Sequence, residues 1–101
     1  MNPLYKFTLD ESTGKISVQE ITEYEEGKWT NRRTYWRYKG KSCWMYVYEE
    51  KLDKYLSGHV YSFNSSIVDA RLIIADAVYA RAEKAKREAK RWSKVYDLIF
   101  K

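Results

Sequence analysis

From Tyr5 to Asp10 apolar and polar positions alternate, with Tyr5, Phe7 and Leu9 set against Lys6, Thr8 and Asp10. A period of two is that of a half-buried strand. Asp10-Glu11-Ser12-Thr13-Gly14 reads as a turn, and Ile16 and Val18 open a second strand, so the pair forms a hairpin. The alternation slips at Glu20-Ile21, where a bulge or an early strand end is expected. A third strand runs from about Arg32 to Lys39. Thr34, Trp36 and Tyr38 share one of its faces, and Arg33, Tyr35, Arg37 and Lys39 the other. Lys39-Gly40-Lys41 leads tightly into Ser42–Tyr48, where Cys43, Met45 and Val47 oppose Trp44, Tyr46 and Tyr48. Apolar on both sides, that strand belongs in the centre of a sheet or under a covering layer. The economical arrangement is an N-terminal four-stranded antiparallel β-meander over residues 1–48.

Past Tyr48 the period changes. Leu52, Tyr55 and Leu56 fall on one helical face, so residues 49–57 read as a short helix closed by Gly58. His59–Phe63 reads as an extended linker or a fifth short strand. Asn64-Ser65-Ser66 supplies N-cap candidates, and Ser66 with Asp69 approximates a capping box. From Ile67 no Gly or Pro interrupts the chain, so residues 66–99 read as one long C-terminal helix, continuous or broken in two. Its first half packs on the sheet through Ile67, Ala70, Ile74, Ala77 and Val78, widened by Leu72 and Ile73. Its second half keeps a heptad-spaced seam of Val78, Ala82, Ala85, Ala89, Trp92, Tyr96 and Ile99. A straight helix of that length spans about 50 Å at 1.5 Å per residue, whereas strands of about six residues cover only about 20 Å. The surplus must break into a second helix or pair with another chain. A homo-oligomer through Ala82, Ala85, Ala89, Trp92 and Tyr96 is the preferred expectation. The fold class is therefore α+β, in one domain over residues 1–101.

Composition narrows the setting. No apolar run is long enough to span a bilayer or to act as a secretory leader, and the single Cys43 fits a reducing compartment. The expectation is a cytoplasmic protein with no membrane partner. The net charge of +5 is unevenly spread. Residues 10–26 carry Asp10, Glu11, Glu20, Glu23, Glu25 and Glu26 against Lys15 alone. Residues 28–41 carry Lys28, Arg32, Arg33, Arg37, Lys39 and Lys41 and no acid, and residues 81–94 are again basic. Two separate basic segments point to an anionic partner. Aromatic residues make up 17% of the chain, enough both to fill a small sheet's faces and to stack on bases.

Catalysis has little to work with. His59 is the single histidine, Cys43 lies in a predicted strand as a buried structural thiol, and no Walker-type, dinucleotide-binding or nucleophile-elbow pattern occurs. The acids of residues 20–26 have no coordination spacing and read as a solvated loop. Neither an enzyme, a cofactor nor a metal site is expected. Anion capture is better provided for: Arg33 and Arg37 flank Tyr35 on one strand face, and arginine both pairs bidentately with phosphate and stacks on bases. Tyr61, Phe63 and Asn64 lie just ahead of a helix N-terminus, with Arg71 one to two turns along, a place that favours phosphate. Arg87 and Arg91 could add charge from a neighbouring chain. The structural alternatives are a hydrophobic staple for Phe63, a cap for Asn64 and a sheet acid as partner for Arg71, and the staple and cap readings are preferred to the ligand reading.

Several stretches give the chain the look of small proteins of Firmicutes phages and prophages. They are Tyr5-Lys6-Phe7-Thr8-Leu9-Asp10-Glu11, Thr13-Gly14-Lys15-Ile16, Tyr48-Glu49-Glu50-Lys51-Leu52-Asp53-Lys54-Tyr55 and Val60-Tyr61-Ser62-Phe63-Asn64 before an Ala- and Lys-rich end. Within that group it resembles the Thoeris anti-defence sponge proteins, in architecture rather than in a diagnostic motif. The resemblance implies an N-terminal antiparallel sheet, long C-terminal helices, oligomeric assembly and sequestration of a cyclic ADP-ribose-type or other cyclic nucleotide signal without cleavage. The alternatives are a basic nucleic-acid-binding protein and a CRISPR-type inhibitor or other module acting by protein–protein contact. Exposed clustered aromatics on the sheet, with no pocket between them, would favour the interaction module.

Overall fold

β-Strand alternation builds two sheets rather than one. The structure, a computed structural model, describes the backbone of residues 2–84 and 89–100 and the side chains of residues 2–80 and 93–100. The strands are β1 (Leu4–Leu9), β2 (Ile16–Ile21), β3 (Glu25–Lys28), β4 (Thr34–Lys39), β5 (Trp44–Tyr48), β6 (Tyr55–Leu56) and β7 (His59–Ser62). Helices α1 (Ile67–Lys84) and α2 (Ala89–Ile99) follow. The first sheet has the order β2-β1-β7-β6 and the second β3-β4-β5, with every strand pair antiparallel.

The first hairpin pairs Leu4 with Ile21 through to Leu9 with Ile16, so β2 ends at Ile21 without a bulge. Its turn is held by Asp10, whose carboxylate accepts from the Ser12 amide at 2.9 Å and the Ser12 hydroxyl at 2.6 Å. Those bonds favour the ionised form and hold the Asp10 carboxyl below its ordinary pKa. The segment read as a linker or fifth strand is β7, and it fills the other edge of β1.

The predicted four-stranded meander is thus replaced by two sheets. Both edges of β1 are taken, and the face bearing Leu4, Ile21 and Tyr61 needs a cover. The second sheet supplies one by laying Tyr38 and Val47 over those residues instead of extending the first sheet. The opposite face, through Phe7, Leu9 and Val60, packs on Ala70, Ile74 and Val78 of α1 and Val95 and Ile99 of α2. The result is three layers: helices, first sheet, second sheet.

The predicted helix over 49–57 is also corrected. A 3₁₀ turn covers only Glu49–Lys51. Leu52 then bridges to Tyr61, and β6 and β7 close around Ser57-Gly58, with φ of 50° and 92°. Two positive-φ residues between paired strands make a type I′ hairpin turn, and so short a helix would not have survived its own nucleation cost.

The long helix of residues 66–99 is two helices. The rings of Tyr79 and Tyr96 lie 6.0 Å apart, where an unbroken helix would set them about 25 Å apart. Val78 and Val95 share one core. Folding α2 back along α1 covers apolar surface that a projecting helix would have left in water. Its far end reaches the β1–β2 turn, where a Cβ on Gly14 (φ +74°) would run into the Leu98 backbone. The face of α1 that meets the sheet is Ala70, Ile74 and Val78, as expected, but Ile67 and Leu72 are exposed. Among the described residues no helix is long and apolar enough to cross a membrane.

Candidate functional site

Sheet register sorts the residues of β4 and β5 into two sets. Trp36, Tyr38 and Val47 turn inward. Tyr35 pairs with Tyr48, Arg37 with Tyr46 and Lys39 with Trp44, and all six lie on the outer face. Of Arg33, Tyr35, Arg37 and Lys39, which the alternation allots to one face, the last three agree with this register, whereas Arg33 lies ahead of β4 in the turn that follows Trp29. The position of β5 does not agree with expectation: it is an edge strand, and the face bearing its aromatic residues is uncovered.

Trp29 joins this face from the β3–β4 turn. Its N–H donates to the Arg33 carbonyl and its own carbonyl accepts from the Arg32 N–H, each at 2.9 Å, with Arg32 in the left-handed region at φ 65°. That turn brings the Trp29 ring to 4.9 Å from Tyr35, 6.3 Å from Tyr48 and 6.5 Å from Tyr46. Tyr35 and Tyr46 are 5.7 Å apart. On the opposite strand Gly27 leaves room for the Tyr35 ring, which any Cβ there would strike. Trp29, Trp44, Tyr46 and Tyr48 keep between 37% and 45% of their surface exposed, far more than packed core aromatics would.

Charge is interleaved with the rings. The Arg37 guanidinium lies 4.9 Å over Trp44 and pairs with Glu25 at 2.6 Å. Bonds to Glu25 first and Tyr46 second raise its pKa above the ordinary value. Arg33 pairs with Glu50 at 3.2 Å, both side chains well exposed. Such exposed pairs contribute little to stability, and they can be exchanged for a ligand's anion. Beside the rings a cavity of about 500 Å³ is lined by Thr22, Glu23, Tyr24, Glu25, Lys39 and Trp44. Planar groups could stack on this face and anions could pair at its rim.

The remaining predicted ligand residues are dispersed. Tyr61 is buried, its hydroxyl 2.6 Å from that of Tyr38, and burial first and Tyr38 second push its pKa up. Phe63 packs against Trp36 at 5.0 Å and Tyr24 at 6.0 Å. The second sheet covers that face, so Tyr61 is withdrawn from a ligand and Phe63 is half-buried among these rings. Phe63 is held by these rings, not by a staple on α1. The N-cap of α1 is Ser66, whose Oγ accepts from the Asp69 N–H at 3.4 Å; Asn64 sits in the turn before it, its side chain accepting from the Ser66 N–H at 2.9 Å and donating to Asp69. Arg71 stands exposed on α1, a different element from the aromatic face. Ala82, Ala85, Arg87, Ala89, Arg91 and Trp92 lie outside the residues whose side chains are described. Tyr96 sits between Tyr79 and Phe100, at 6.0 and 5.2 Å.

Two smaller expectations are corrected. Cys43 is exposed in the turn before β5, not buried within a strand, with Sγ 3.9 Å from Met45 Sδ. The segment Glu25–Lys28, read as part of a solvated loop and basic run, is an edge strand. Trp29, Trp44, Tyr46 and Tyr48 were not among the predicted ligand residues. The alternation of Ser42–Tyr48 could have placed the last three with Tyr35, but nothing local marks Trp29. Among the described residues no cluster of His, Cys, Asp and Glu is arranged to hold a metal ion. Compared with family models, curated proteins and solved structures, the chain matches none of them.

Proposed function

We propose that this protein is a non-catalytic binding protein that holds a nucleotide-type ligand on the outer face of the second sheet. The observation that carries the reading is the cluster of exposed Trp29, Tyr46 and Tyr48 around half-buried Tyr35, with Arg37, Lys39 and Trp44 continuing the same face. Base–aromatic stacking contributes about 1–3 kcal/mol per base and tolerates any base. Arginine at the rim adds phosphate pairing. A planar base and a phosphate are the shared chemistry of two sources, a small cyclic nucleotide signal and a single-stranded oligonucleotide. Sequestration of the former without cleavage, in an infected or lysogenic bacterial cell, is the role that the phage-protein resemblance implies.

Tryptophan fluorescence titrations with a cyclic ADP-ribose-type nucleotide and with short single-stranded DNA and RNA separate the two. Saturable quenching by the nucleotide, with the compound recovered intact on denaturation, supports the sponge. Quenching by oligonucleotides that weakens steeply with salt supports strand binding. Trp29→Ala and Tyr46→Ala should each reduce affinity about tenfold. The second reading is a protein-docking surface, favoured because the exposed rings of Trp29, Tyr46 and Tyr48 do not line the neighbouring cavity; the absence of any nucleotide or oligonucleotide binding overturns the ligand proposal in its favour. A cleaved product overturns the non-catalytic reading.

A further inference from the structure

A second apolar surface lies on the opposite side of the molecule's layers, on the helical hairpin. Val68, Leu72 and Tyr79 are 59%, 50% and 54% exposed. At about 100° per residue these positions fall within an arc of about 40° on α1, one stripe and not scattered residues. Tyr79 passes the stripe across to α2 through Tyr96 and then Phe100. We propose that this stripe is where a second copy of the chain docks, helix pair against helix pair, as a two-fold dimer with a four-helix interface.

Two features favour a second copy as the occupant. The exposed Val68, Leu72 and Tyr79 recur at steps of four and seven, the heptad positions with which a helix meets another helix. The charges beside the stripe are also self-complementary. Asp69 and Asp76 lie along one flank of α1 and Arg71 along the other, all exposed. A two-fold axis running along the helices sets the acidic flank of each copy against the basic flank of its mate, twice over. The outer face of the second sheet is left clear, so dimerisation neither needs nor blocks the proposed ligand.

Sedimentation equilibrium of the full chain over a wide concentration range tests this. The expected result is a reversible monomer–dimer equilibrium approaching twice the 12.2 kDa chain mass. Leu72→Glu and Val68→Glu should each raise the dimer dissociation constant about tenfold to a hundredfold, as the removal of a buried aliphatic contact requires. Val18→Glu is the matched control, since Val18 is equally exposed but on β2, and it should leave dimerisation unchanged. Hydrogen exchange on the unmodified chain gives an independent reading: α1 amides should become better protected as concentration rises. A chain that stays monomeric throughout overturns the proposal, whatever else binds the helices. So does a dimer that Leu72→Glu leaves intact, or one whose formation leaves α1 exchange unchanged.

Discussion

The hydroxyls of Tyr38 and Tyr61 share a 2.6 Å hydrogen bond across the junction between the two sheets. Tyr38 comes from β4 and Tyr61 from β7, so the bond ties together layers that no strand pairing connects. Removing one hydroxyl leaves the other buried without its partner, which costs about 1–3 kcal/mol; removing both can be nearly neutral. Tyr38→Phe and Tyr61→Phe should each lower stability in urea unfolding, and the double variant should lose less than the sum of the two. Strict additivity would mean that the hydroxyls act independently.

The same pair sets an alkaline limit. The Tyr61 phenol is pushed above its ordinary value of 10.0, by burial first and by its bond to Tyr38 second. The folded state therefore holds this proton more tightly than the unfolded state does. The contribution is fully present below pH 10 and declines as pH rises towards the folded pKa. Unfolding free energy should fall more steeply above pH 10 in the native chain than in Tyr61→Phe. Parallel pH profiles would sink the assignment.

Acid should act through His59. Burial, and after it the neighbouring Lys6, lower the imidazole pKa from 6.5, and the ring stands 4.9 Å from Tyr61 on the same face of the first sheet. The facing groups are Lys6 and Thr8 on β1, together with the Tyr61 ring, and none is an acid that would stabilise an imidazolium. Because the folded state prefers the neutral ring, stability is complete above pH 6.5 and is lost as pH falls through the depressed folded value. Melting temperatures at pH 7 and pH 5 should differ less in His59→Gln than in the native chain. Lys6→Gln should also narrow the gap by removing the second cause.

How much of this was legible depends on the range over which each pattern acts. The alternation of Tyr5–Leu9 and of Thr34–Lys39 identifies strands and their faces, because side-chain direction is local. Which strand edge meets which is not local. Nothing in Val60-Tyr61-Ser62 says that it will take the free edge of β1, or that Tyr61 will be covered by Tyr38 rather than offered to a ligand. The polar Glu25-Glu26-Gly27-Lys28 hides a strand, since an edge with charged residues shows no apolar alternation. The end of the chain misleads for the opposite reason: Ala, Lys, Glu and Arg favour helix throughout, so its composition carries no mark of where α1 ends and α2 begins. For the candidate site, Tyr35 and Arg37 were readable from their own strand, whereas Trp29 is brought in by a turn.

Arg32 offers a test of that turn. Its φ of 65° places a non-glycine residue in the left-handed region while its N–H bonds to the Trp29 carbonyl. Arg32→Gly should keep the turn and relieve the steric cost of a Cβ there, about 1 kcal/mol, offset in part by the greater freedom of glycine in the unfolded chain. The net change in urea unfolding should be small, with Trp29 fluorescence unaltered. Arg32→Val, β-branched and poorly suited to that region, should be clearly destabilising and should shift the Trp29 emission.

Gly14 carries the firmest mutational expectation, because two independent constraints meet there. Its φ of +74° is a conformation that L side chains rarely adopt, and a Cβ would meet the backbone of Leu98, an obstacle that cannot rotate away. Gly14→Ala must either strain the β1–β2 turn or push α2 off it, and Val95 and Ile99 leave the core with α2. The loss should be about 2 kcal/mol or more. A matched substitution isolates the two effects. Gly58 has a similar positive φ of 92° but nothing near its Cβ, so Gly58→Ala meets only the backbone term and should cost about 1 kcal/mol. If the two variants unfold at the same urea concentration, α2 does not rest on the hairpin turn as described.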